Sequence, residues 1–190
     1  MQPWSQPLLW TKVSVCVPQT LTGPTVNAGT NTPNNAIGAT GSMTASTFAE
    51  NTLTANHNVN YTTGATVAAN SKMRGSAWIA RGTGTNNRYV RFMVINSLST
   101  YGFFTELDLQ AGTAGAPVAL GTGSLPSGSG ATITPVGTGF NVSVTGVLST
   151  TQTGPPFVWM SSETVPGTFF YVGTGTQCFA YESVGLCIFS

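Results

Sequence analysis

Charge is what this chain lacks. Its 190 residues hold six Lys or Arg and five Asp or Glu, 6% in all, where soluble domains run at about a quarter. A folded chain of this length exposes roughly 8,600 Å², so about one charge serves every ~800 Å² of surface. Small independent domains rely on interspersed charges to stay soluble and monomeric. Neutral polar groups, other subunits, or both must therefore cover this one, which points to a protein working inside an assembly. The six cations, Lys12, Lys72, Arg74, Arg81, Arg88 and Arg91, are scattered and form no stripe, so no nucleic-acid partner is expected. No window approaches 18 consecutive apolar residues, so no membrane-spanning helix is expected. The opening Met1-Gln-Pro-Trp-Ser-Gln-Pro has neither the basic nor the apolar region of a signal peptide.

Cysteine is also sparse. Cys16, Cys178 and Cys187 have no metal-ligand spacing and an odd count. On one strand, Cys178 and Cys187 would stand about 30 Å apart, too far to bridge. Cys16, after Val13-Ser-Val, reads as a small buried hydrophobe. All three are expected to be reduced structural thiols, with no metal or cofactor site.

Apolar residues are present in quantity: 41% hydrophobic content with ten Phe and four Trp is enough to fold. No segment has useful helical periodicity. Short β-rich runs recur instead between Gly, Pro and Asn signals. The runs are Leu8–Val17, Ser42–Ala49, His57–Tyr61, Arg74–Arg81, Arg88–Asn96, Phe103–Leu109, Ala131–Val136, Phe140–Val147, Phe157–Ser161, Phe169–Val172 and Cys178–Phe189. Phe140, Val142 and Val144 alternate with Asn141, Ser143 and Thr145, one set facing a core and the other facing out. Tyr89–Ile95 is apolar on both faces, which suits a central strand or one under a second covering layer. Gly185 reads as a bulge in the closing strand. Thr20–Gly41 and Gly112–Gly130 read as long polar loops, the second connecting two sheets. The expected fold is all-β, a sandwich of two antiparallel sheets. Residues 1–41 form an N-terminal strand and extended arm, packed on the domain or a neighbour, and residues 42–190 form the sandwich.

Few residues can carry chemistry. His57 is the single histidine, in a polar setting that reads as a strand edge, and no nucleophile elbow accompanies it. Glu106 and Asp108 share one strand face about 7 Å apart, near the spacing that glycoside hydrolases use. Such acids more often sit solvated or paired with Arg, and a calcium site would need several further loop oxygens. Trp78, Tyr89, Arg91, Glu106 and Asp108 could share one sheet face as a saccharide platform, although a Trp amid an apolar strand is more often core. Gly121-Thr-Gly and Gly173-Thr-Gly are turn signals, since neither opens a helix after a strand. No catalytic residue is assigned.

The order of short motifs resembles that of jelly-roll, carbohydrate-binding-module-like domains in virion proteins of tailed bacteriophages. Ser5-Gln-Pro-Leu-Leu-Trp-Thr-Lys is similar to their opening strand, Gly41-Ser-Met-Thr-Ala-Ser-Thr-Phe-Ala-Glu to their second segment, and His57-Asn-Val to the position that carries an aromatic or His before a strand. Gly75-Ser-Ala-Trp-Ile-Ala-Arg and Arg88-Tyr-Val-Arg-Phe-Met-Val resemble the strands that follow. Val136-Gly-Thr-Gly-Phe-Asn-Val-Ser-Val-Thr-Gly is the closest match, with Phe140-Asn141 standing where the family has Trp or Tyr followed by Arg. The resemblance implies a jelly-roll fold and a place in a phage fibre, tail or capsid appendage. The expectation is a non-enzymatic capsid decoration or cement protein on the virion surface. Its partners would be copies of itself, a trimer favoured, and the major capsid protein. The alternative is a fibre or tail module that recognises a host surface glycan.

Overall fold

The computed structural model describes residues 15–64, 66–68, 70–96, 100–121, 124–125, 127–148 and 155–189. In chain order the strands are β1 (Cys16–Pro18), β2 (Thr22–Asn27), β3 (Gly29–Ile37), β4 (Met43–Glu50), β5 (Thr54–Asn56), β6 (Asn58–Thr62), β7 (Ser71–Arg81) and β8 (Tyr89–Ile95). Then follow β9 (Gly102–Asp108), β10 (Thr113–Ala114), β11 (Val118–Leu120), β12 (Gly130–Val136), β13 (Gly139–Leu148), β14 (Phe157–Glu163), β15 (Phe170–Val172) and β16 (Gln177–Phe189). No helix occurs among the described residues.

Two large antiparallel sheets pack face to face. The first runs β12-β13-β7-β16-β4-β3, with β1 also on β16, and the second runs β10-β9-β8-β14-β6-β2, with β11 also on β9. A small ribbon pairs β15 with β5. Number β4, β6, β7, β8, β9, β13, β14 and β16 one to eight. The first sheet then reads 6-3-8-1 and the second 5-4-7-2, the strand order of a jelly roll.

The alternation that the sequence suggests is what drives this packing. Val142 and Val144 are buried between the sheets while Asn141 stays exposed. Phe48, Ile79, Phe92, Phe103, Met160 and Phe179 fill the same inter-sheet core. Each such side chain contributes about 1.5–3 kcal/mol by leaving water. β8 is central in the second sheet, between β9 and β14, which accounts for its apolar character on both faces. Gly185 lies at a register shift in β16, with Ser183 at a φ of 53°, as a bulge requires.

One expectation about the strands is corrected. Thr20–Gly41 is not a loop, because β2 and β3 form the outer edges of the two sheets. Edge strands need only a backbone partner on one side, so the polar Thr, Asn, Gly and Pro of this stretch suffice. Leu8–Ser14, the first part of the expected opening strand, lies outside the described residues. The Gly112–Gly130 segment does connect the sheets, and carries β10 and β11 on the way.

The cysteine expectation is overturned more sharply. Cys16 and Cys187 form a disulfide with their Cα atoms 5.4 Å apart, across a sequence separation of 171. β1 lies antiparallel to the end of β16, pairing Val17 with Ile188, and Gln19 N donates to Leu186 O at 2.8 Å. Spacing along the chain could rule out only the Cys178–Cys187 pair; the bridge needed the register of a strand from the other terminus. Cys178 remains a free, fully buried thiol, and burial pushes its pKa up to about 12.

Thiol titration of the unfolded, unreduced chain is expected to find one thiol, and three after reduction. Cys16→Ser is expected to cost about 2–5 kcal/mol of stability in a denaturant titration.

Candidate functional site: the outward face of the second sheet

Antiparallel pairing sets four of the five residues that the sequence singled out side by side. Tyr89 lies opposite Asp108, and Arg91 opposite Glu106, so all four share the outward face of the second sheet. Trp78 is not among them. It sits on β7 in the first sheet, 1% exposed against Ala45, Ala80 and Ala180, and its indole N–H donates to Val136 O at 2.9 Å. The parity of a strand tells which residues share a face, but not which strands share a sheet.

Arg91 is the centre of this face. Its Nη2 donates to Glu106 Oε1 at 2.7 Å, and its Nε stands 2.9 Å from Glu163 Oε1. That second contact is an ion pair without hydrogen-bond alignment, since neither atom has a hydrogen-bond partner. The guanidinium lies over two rings, 4.4 Å from the Phe104 centroid and 4.3 Å from that of Phe169. Contact with aromatic rings combined with donation to a carboxylate suits Arg better than Lys. Around it Met93, Ile95, Leu120, Trp159, Ser161 and Asn56 complete a groove of about 170 Å³. Trp159 Nε1 and Asn56 Oδ1 are buried polar atoms with no partner among the described residues.

Glu163 is the residue the sequence reading missed, together with Trp159, Phe104 and Phe169. A signal was there: Trp159, Ser161 and Glu163 alternate along Phe157–Glu163 and so share one face. The Glu163 side chain has no exposure, and burial raises its pKa to about 7, against the opposing pull of Arg91 and with a further push from Glu106. Its other oxygen, Oε2, accepts from Gly167 N at 3.2 Å, which ties down the turn that carries Phe169.

Asp108 has a structural task. Arg88 donates to both its oxygens, Nη2 to Oδ2 at 2.7 Å, and the Gln110 and Ala111 amides donate to Oδ1 at 3.0 Å each. Those contacts, the Arg88 hydrogen bond foremost, hold its pKa down at about 2. Each acid of the suspected pair is thus bound to its own arginine.

No protein-family model matches the chain, and no curated protein matches it in sequence.

His57 is not at a polar strand edge but fully buried. Its Nδ1 donates to Ala28 O at 2.7 Å, Nε2 stands 3.2 Å from Tyr171 O, and the ring packs on Tyr171 with centroids 4.7 Å apart. Tyr171 O–H donates to Glu50 Oε2 at 2.6 Å. Burial pushes the Glu50 pKa up, but donors from Thr174, Tyr171 and Asn86 outweigh it and leave the net value lowered. This buried network fastens the β5–β15 ribbon to the sandwich, and the histidine belongs to it.

Glu163 gives a pH signature. Folding raises its pKa from 4.5 to about 7, so the folded chain holds the proton more tightly than the unfolded chain. Its stabilising contribution is complete below about pH 4.5 and is lost as pH rises through about 7. Between pH 5 and 8 the native melting temperature is expected to fall by about 5 °C. Glu163→Gln should flatten that decline in calorimetric scans, and an equal decline in the variant would refute the assignment.

Proposed function

We propose that the chain is a non-enzymatic structural protein of a tailed-phage virion, a capsid decoration protein that stabilises the assembled particle. It acts as a homo-oligomer, a trimer at local three-fold positions, against the major capsid protein. The observation that carries this reading is the β5–β15 ribbon. Phe170 and Val172 alternate outward on it at 62% and 63% exposure, beside Leu53 at 60%, while Tyr171 points inward to Glu50. An apolar ribbon braced from beneath, on a surface this poor in charge, is suited to a permanent protein partner. The resemblance of the sequence to phage virion modules supplies the assembly. The non-enzymatic reading is supported by the acids: Glu163 is sealed from solvent, and Glu106 and Asp108 are bound to arginines.

Particles lacking the protein are expected to leak DNA at lower temperature while adsorbing to cells normally, because a ligand of the assembled state stabilises that state. Heat-stable particles that no longer adsorb would favour a receptor module for host glycans instead. Phe170→Ser combined with Val172→Ser should weaken binding to empty capsids by about 10- to 100-fold, with an unchanged circular dichroism spectrum.

A further inference from the structure

We propose that the groove on the outward face of the second sheet seats the tryptophan-bearing segment of residues 1–14 from a second copy of the chain. This inference rests on the self-association proposed above and names the segment that makes it.

The groove is built for one aromatic side chain. At about 170 Å³ it belongs to the size class of cavities that take a single ring. Its walls are Met93, Ile95, Phe104, Leu120, Trp159 and Phe169. Beside the ion-paired Arg91 Nε, its lining residues hold two buried atoms without hydrogen-bond partners, Asn56 Oδ1 and Trp159 Nε1, one acceptor and one donor. Buried groups of this kind are costly unless something pairs them. A tryptophan carried on a polypeptide offers the matching set, an indole N–H for the acceptor and a backbone carbonyl for the donor.

Residues 1–14 supply such a group. They hold Trp4 and Trp10, two of the four tryptophans of the chain, with Leu8 and Leu9. So short a segment cannot bury four large apolar side chains by itself. Pro3 and Pro7 restrict the segment and lower the entropy lost on docking. The charges are compatible as well. On the outward face the acids Glu106, Asp108 and Glu163 are paired with Arg88 and Arg91. The face thus has no excess of positive charge to repel Lys12, the single charged side chain of residues 1–14.

The point of departure favours a neighbour. The segment joins β1, which is paired to residues 187–189 of the first sheet and locked there by the Cys16–Cys187 bridge. The groove lies on the far side of the second sheet. Trp10 and Trp4 are six and twelve residues from Cys16, reaches of at most about 20 and 40 Å. Within one chain all of the shorter reach and most of the longer would be spent rounding two sheets stacked about 10 Å apart with an outward side-chain layer beyond. A copy whose second sheet abuts the first sheet of its neighbour receives the segment directly. Head-to-tail contacts of this kind close into a ring when the rotation between copies permits, the arrangement that the trimer proposed above would have.

The test uses the full-length chain with a benzophenone amino acid in place of Leu120, co-assembled from isotopically heavy and light copies and irradiated. The expected products are heavy–light crosslinks to residues 1–14. Crosslinks confined to single chains, crosslinks to other segments, or none at all would overturn the inference. Sedimentation of the same sample separates the two readings. An oligomer without these crosslinks defeats the seat alone, and a monomer defeats the association reading as well. As a second arm, Trp4→Ala with Trp10→Ala is expected to weaken association at least about tenfold, and unchanged association would also overturn the proposal.

Discussion

A Cβ on Gly75 of β7 would stand 2.7 Å from Val94 Cγ2, and one on Gly146 of β13 would stand 2.6 Å from the Phe103 ring. At these two points the sheets come so close that no side chain fits on the first sheet's side. Phe92, Val94 and Phe103 of the second sheet occupy that space. This close apposition sets how the sheets lie over each other, and much else depends on it. With Val90, Phe92 and Val94 committed inward, strand alternation turns Tyr89, Arg91, Met93 and Ile95 outward. The groove is thus the reverse side of the core.

Scarcity of charge gives the remaining charges unusual positions. Glu50, Arg91 and Glu163 are all buried or nearly so. Each is held by several donors, acceptors or rings, because an isolated charge in the interior is heavily penalised. Arg91 contacts the carboxyl groups of Glu106 and Glu163 and lies over two phenyl rings. Glu50 collects donors from three residues and braces a ribbon whose outer side is apolar. Charge here organises the interior and the base of two surfaces, while hydroxyls and amides cover much of the exterior. Such a surface has little electrostatic repulsion to keep copies apart, which agrees with the assembly role proposed for it.

The sequence by itself determined the class of fold and most strand positions. Alternation in Phe140–Thr145, the two-faced Tyr89–Ile95 run and the Gly185 bulge all follow from the two-residue period of a strand, a local property. It also set Tyr89 and Arg91 on one face, and Glu106 and Asp108 on one face, for the same reason. Only the tertiary structure decided what lay across from them. Pairing of β8 with β9 joined those four residues, and pairing of β8 with β14 added Trp159 and Glu163. Membership of the other sheet took Trp78 away. The Thr- and Asn-rich β2 and β3 became strands because neighbours offered free backbone edges, which composition does not record. Cys16 met Cys187 because the first described strand lies against the last. Period and propensity are written in each segment, whereas sheet partner, register and burial arise from contacts between residues far apart in the chain.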